Sequence, residues 1–311
     1  MGLTRRVIEV PVVLTVSSVL VFLLPQLTGT DTARAVLRAR SAESTPDAAT
    51  VARVTHEFGL DRSLPEQYLS WVGHALSGDF GLSLTTRTPV GPQVLAATGV
   101  SVTLVLLALA LAAGIGIPAG VYAAARRGRL LDKLVSAASV LGVAVPEFIL
   151  GPLLVLIFSV TLDLLPTSGW GTPGQAVMPT LSLAAFPAAL AAQLTRAEML
   201  DALERPYIDF ARAKGITRHR VLWRHAARTA LTSVLALSSV FFAGLLGGAV
   251  VAEVIFAVPG LGRLLYDAVL AQDLPMTQAG LLTIITLALL ARVTADLLHL
   301  ATTPLARAAQ R

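Results

Sequence analysis

Six apolar stretches, at 7–27, 98–124, 134–160, 177–200, 229–251 and 279–302, constrain this chain more than any other feature. Each is about the length that crosses a bilayer, and in lipid a backbone must satisfy its own amides, so such runs fold as helices. The rest of the sequence cannot cover a water-facing surface. Only 14% of the 311 residues are charged, where soluble domains carry about 25%. The expected fold class is therefore an all-α integral membrane protein with six transmembrane helices. The first stretch carries Glu9 and Pro11 at its start. That leaves a cleaved signal peptide as an alternative, with Arg5 and Arg6 as its basic end and Ala33-Arg34-Ala35 as a small-x-small site.

Basic residues orient the chain. With the N-terminus inside, the inner segments hold 16 Arg and Lys and the outer segments seven, while Arg292 lies within the last stretch. Positive charge concentrates on the cytoplasmic side, so both termini are expected inside a cytoplasmic cell membrane. Three regions follow: 1–27, the N-terminus and first helix; 28–97, an extracytoplasmic segment; and 98–311, a five-helix core containing a cytoplasmic loop at 201–228. The outer segment is nearly neutral. Residues 30–50 read as a loose connection, and Asp47–Trp71 as helices broken at Gly59 and Pro65.

Several function classes fail on residue types. The net charge of +5 comes from 22 Arg against two Lys, a ratio that reflects base composition and does not point to nucleic acid. There is no Cys, hence no thiolate chemistry. Asp132 precedes Lys133 and Ala213 precedes Lys214, so no Gly-Lys pair can form a phosphate-binding loop. Gly-x-Ser-x-Gly and His-Glu-x-x-His are both missing, since His56-Glu57 is followed by Phe-Gly-Leu. The acids are scattered, so no catalytic pair and no metal-ligand cluster stands out. Neither catalytic residues nor a bound cofactor are expected in this chain.

The loop 201–228 reads DALERPYIDFARAKGITRHRVLWRHAAR. Tyr207, Phe210, Ala211 and Ala213 recur at helical spacing, Gly215 breaks the pattern, and Thr217 can cap a second short helix through Val221 and Leu222. Too polar to cross the membrane, the loop is either a solvated basic connector or a docking knob for a cytoplasmic partner. In the second reading Gly215 supplies a tight turn with positive φ.

Tyr207-Ile-Asp-Phe-Ala211-Arg-Ala213-Lys214-Gly215-Ile resembles the EAA loop of ABC importer permeases, in the form seen in the dipeptide/oligopeptide/nickel family. Other segments are similar to that family in the same order: Gly59-Leu60-Asp61-Arg62, Gly78-Asp79-Phe80-Gly81-Leu82-Ser83, Pro146-Glu147-Phe148, Leu165-Pro166, Leu194-Thr195-Arg196, Glu253 to Phe256, Pro259 to Arg263, and Gln272-Asp273-Leu-Pro275. The chain departs from the family at Thr229 and Ser233, at Thr30-Asp31-Thr32 and at Thr303-Pro304-Leu305. The resemblance implies a type I importer-like permease working with a second homologous permease subunit, two ABC ATPases that bind ATP and Mg, and an extracytoplasmic solute-binding protein. It also implies that Tyr207, Asp209, Ala211, Arg212, Ala213, Lys214, Gly215 and Ile216 couple to the ATPase. The alternative class is a six-span homodimeric secondary transporter without ATPase partners.

Single residues add expectations. Glu147, after Pro146 in an uncharged stretch, either lines the translocation path or forms a structural pair or interfacial site. The breaker pattern from Glu253 to Arg263, including Phe256, Pro259 and Gly260, fits a re-entrant or capping outer loop, or a plain connector. Arg292 and Asp296, four apart, are expected to neutralise each other in the last span, with His299 nearby. Gly116 and Gly120 have dimer-motif spacing, but Pro118 between them weighs against close packing. The solute is left open among a short peptide, nickel and a metal chelate.

Overall fold

A computed structural model describes residues 3–27, 48–57 and 61–302. Its elements are helical, apart from one isolated bridge pairing Leu82 with Pro89. The expected features at 30–47, the small-x-small site and Gly59-Leu60 lie outside the described residues, as do the side chains of Asp296 and His299. We number the main helices α1 Leu3–Phe22, α2 Ala48–Glu57, α3 Leu64–Leu76, α4 Val90–Ala125, α5 Leu130–Ala144, α6 Glu147–Leu154, α7 Pro173–Leu203, α8 Pro206–Ala213, α9 Ala227–Ile255, α10 Leu261–Leu270 and α11 Leu274–Thr302.

Helices lie over all six apolar stretches. Among the described residues, Val90–Ala125, Pro173–Leu203 and Leu274–Thr294 are each long and apolar enough to cross a membrane alone. The third expected span, 134–160, is broken near its middle. α5 and the segment Glu147–Thr161 meet at 107°. Pro146 is the cause: it lacks an N–H and disfavours helical backbone at Val145, and both residues are extended. Beyond α6 the chain continues as a π-helical turn, Val155–Thr161. The segment thus remains helical but changes direction.

The chain separates into two compact units, Met1–Val100 with Gly260–Leu287 and Ser101–Pro259 with Ala288–Arg311. In the first, Val90, Val94 and Ala97 at the start of α4 pack with Leu261 and Ala268 of α10 and with Met276 and Ala279 of α11. This packing explains why α4 begins at Val90, eight residues before its apolar run. Phe22, Tyr68 and Trp71 form an aromatic cluster between α1 and α3, and the Ser18 and Tyr68 hydroxyls lie 2.8 Å apart. Ser63 caps α3 in a capping box with Glu66, so Pro65 sits in the helix's first turn. Asp273 ties two remote segments together. Its carboxylate accepts the Met276 N–H at 3.3 Å, capping α11, and also accepts the Thr85 N–H and the Ser83 hydroxyl. Ser83 and Asp273 belong to two of the motifs that carry the family resemblance, 190 residues apart.

The second unit is organised around α7. Its alanines let neighbours approach closely: a Cβ on Gly120 of α4 would lie 2.6 Å from the Ala192 carbonyl, and one on Gly116 would lie 2.5 Å from that of Ala188. Helix α4 runs through Pro118 without ending. The Gly116/Gly120 face therefore does pack tightly, but within the chain.

Candidate functional site

Helix α7 continues past its apolar run to Leu203, and the chain then turns sharply into α8. Arg205 is extended, and Pro206 starts α8 where a missing N–H costs nothing. The inward face of α8 is Ile208 and Ala211, both buried in a cluster with Met199, Ala202, Val121, Val221, Leu222 and Ala226. Tyr207 and Phe210, on the other side of the helix, point outward at 44% and 71% exposure. Asp209, Arg212, Ala213, Lys214 and Gly215 are exposed beside them. The outer ridge of α8 is thus two aromatic rings among charges.

The end of α8 is a Schellman motif. Gly215 donates to the Arg212 carbonyl at 2.9 Å, and Ile216 donates to that of Ala211 at 3.2 Å. Gly215 has φ +73°, so the positive φ expected from sequence is present. The turn brings Ile216 back onto the buried cluster. Thr217 occupies the N-cap position and accepts the Val221 N–H through its carbonyl, but its side chain makes no cap bond. One helical turn and a π-helical stretch, Val221–Ala226, then lead into α9.

Side chains brace this elbow. Arg218 donates to the Ala125 carbonyl at 2.8 Å, which satisfies an acceptor at the end of α4. Arg196 of α7 holds Asp132 of α5 with two bonds, of 2.5 and 3.0 Å. The Gly128 N–H also donates to Asp132, at 2.9 Å. Trp223 meets Tyr122 edge to face, with centroids 6.0 Å apart. Apart from Gly128 and Asp132, these partners are 64 to 101 residues apart, beyond the reach of sequence spacing. The exposed Arg127–Glu204 pair adds little stability. Such an arrangement offers no nucleophile–base pair. It fixes α8 and its turn against α4 and α7.

The second set of expected residues is divided. Glu253 is fully buried, accepting the Ser101 hydroxyl at 2.5 Å, and Phe256 is 1% exposed. The Phe256 carbonyl accepts the Gly169 N–H, which joins the loop after Leu165-Pro166 to the end of α9. Both side chains are buried within the fold. Pro259 is exposed and Gly260 buried. Glu147 differs: its Oε1 is buried without a hydrogen-bond partner, and a Cβ on Gly248 of α9 would lie 3.9 Å from its Oε2. No group of three or more metal-ligating side chains occurs among the described residues. Arg292 is exposed, and its expected partner Asp296 lies outside the described side chains.

Residues 116–307 match the family described as binding-protein-dependent transport system inner membrane component, and 2–91 match the N-terminal model of the same system. The chain belongs to this permease family. It is 36% identical over 303 residues, 97% of each chain, to the glutathione transport system permease protein GsiC of Escherichia coli K12. To the dipeptide transport system permease protein DppB of Lactococcus lactis subsp. cremoris MG1363 it is 38% identical over 236 residues, 76% of this chain and 77% of that one. The fold resembles that of the MetNI methionine ABC transporter in an inward-facing crystal form, with TM-score 0.56, 21% identity and coverage of 68% of this chain and 96% of that one. The protein is thus a multi-pass transmembrane permease subunit of an ABC importer, and is not itself a catalyst. Membership of this family sets aside the homodimeric secondary transporter.

Proposed function

We propose that this permease carries short peptides into the cell, with both termini cytoplasmic and α8 docked in the cleft of a partner ATPase. Its assembly comprises a second homologous permease, two ATPases that bind ATP and Mg, and an extracytoplasmic solute-binding protein. The exposed Tyr207–Phe210 ridge carries this reading, because it stands on a helix whose other face is packed against α4 and α7. Aromatic side chains are the usual anchors of such interfaces. Kinship to glutathione and dipeptide permeases favours peptide over nickel as the solute. ATP-dependent uptake of labelled glutathione or dialanine by vesicles containing the full complex is the expected result. Uptake of nickel chelates alone would overturn the peptide assignment.

Glu147 supplies a solute contact in this reading. An isolated carboxylate oxygen in an apolar segment is costly, and a passing α-ammonium group would satisfy it. Glu147→Gln should lower uptake of a free dipeptide roughly tenfold, while uptake of its N-acetylated form and co-purification of the ATPases stay at wild-type levels. Equal loss for both peptides would assign Glu147 to structure.

A further inference from the structure

Helices α4 and α5 form a hairpin that reverses within Arg126–Arg129, helped by Gly128 at φ +77°. Beside the turn lies a cleft of about 370 Å³ lined by Ala119, Tyr122 and Arg126 of α4 and by Leu131 and Val135 of α5. Its lining is mostly apolar, with Tyr122 and Arg126 as its polar members. The acids nearby are already engaged, Asp132 by Arg196 and the Gly128 N–H, and Glu204 by Arg127. Among the described residues, Arg126, Arg129 and Lys133 have no ion-pair partner, and all three are exposed. Of these, Arg126 lines the cleft and places a guanidinium without an ion-pair partner at it. Leu130, Leu134 and Leu141 form an exposed apolar stripe on the adjacent face of α5, about 100° round the helix from Leu131 and Val135, at 72%, 57% and 62%. They share one helix face, as residues four and eleven apart do.

We propose that this cleft holds the headgroup of an anionic glycerophospholipid, with its acyl chains lying along the Leu130–Leu134–Leu141 stripe. A cationic rim over an apolar groove complements a phosphodiester attached to hydrocarbon. Tyr122 brings an amphipathic ring of the kind that favours the membrane interface. A free phosphate would satisfy the guanidinium but leave the stripe bare. The inner leaflet is the source, and that choice rests on the orientation proposed above.

The test uses the complete importer in nanodiscs of phosphatidylcholine with or without phosphatidylglycerol, followed by native mass spectrometry of retained lipid. Wild type should keep phosphatidylglycerol in preference to phosphatidylcholine. Arg126→Gln should retain about fivefold less, and Arg126→Lys should retain most of it. Val135→Trp fills the cleft without altering any charge, and should also lose the lipid. Equal retention of both lipids, unchanged retention in Val135→Trp, or displacement by millimolar inorganic phosphate would each overturn the assignment. Because the chain has no Cys, Leu130→Cys gives a single thiol to probe with an impermeant reagent. Labelling from outside the cell would overturn the orientation and the inner-leaflet source. Lipid retention would still judge the cleft separately.

Discussion

Gly120→Val is expected to lower the yield and stability of the folded permease sharply, whereas Gly114→Val on the same helix leaves both near those of wild type. A Cβ at Gly120 would stand 2.6 Å from the Ala192 carbonyl oxygen, 2.7 Å from the Thr195 Cβ and 3.0 Å from the Arg196 amide. Two of these neighbours are backbone, so no flexible side chain can yield. Helix α7 would have to withdraw, and the Arg196 that follows it anchors Asp132. Overpacking of this kind costs about 3 kcal/mol or more. In a bilayer, moreover, helices associate largely through such close contacts. At Gly114 nothing lies within 4 Å of the added carbon. Thermal unfolding in detergent should show a loss on the order of 10 °C for Gly120→Val and little for Gly114→Val. Equal melting of the two variants would refute the close approach of α4 and α7.

That contact also marks a limit of the sequence. The Gly116/Gly120 spacing was visible, but Pro118 argued against tight packing, because proline breaks helices in water. Inside an apolar span, neighbouring groups compensate for the lost bond, and α4 continues. The apolar runs themselves were legible because the bilayer dictates their length. Pro146 announced a kink in the third span, although not a bend of 107°. The start of α4 was misplaced because Val90 and Val94 are held by residues from 261 onward. The polar network was hidden for a related reason. Ser83 and Asp273, Ser101 and Glu253, and Asp132 and Arg196 are separated by 190, 152 and 64 residues, and no local pattern records such pairs. At α8, the spacing marked a helix but did not say which face is buried. The helix buries Ile208 and Ala211 and leaves its aromatics outside, which spacing could not tell for so short a helix.

Gly215 is where local sequence and site geometry agree, and it offers the sharpest test of coupling. Its φ of +73° is unfavourable for side chains with a Cβ, by about 1 kcal/mol for Ala and more for a β-branched residue. Nothing lies within 4 Å of the position a Cβ would occupy, so a substitution meets backbone strain and no clash. Gly215→Val relieves that strain by leaving the left-handed region, which breaks the bonds from Gly215 to Arg212 and from Ile216 to Ala211. Ile216 is then pulled from its cluster, and the Tyr207–Phe210 ridge loses its fixed aim. The chain should still insert and remain monodisperse, since the strain is local and small beside the packing of α7. ATPase co-purification, or ATP-driven uptake if the complex survives, should fall at least tenfold, as about 1.4 kcal/mol of misalignment would produce. Gly215→Asn, which tolerates left-handed backbone, should retain most activity, with Gly215→Ala between the two. A gradient in the order Gly, Asn, Ala, Val ties transport to the turn's conformation. Normal assembly and uptake in Gly215→Val would leave 201–228 as a solvated basic connector and remove α8 as the coupling element.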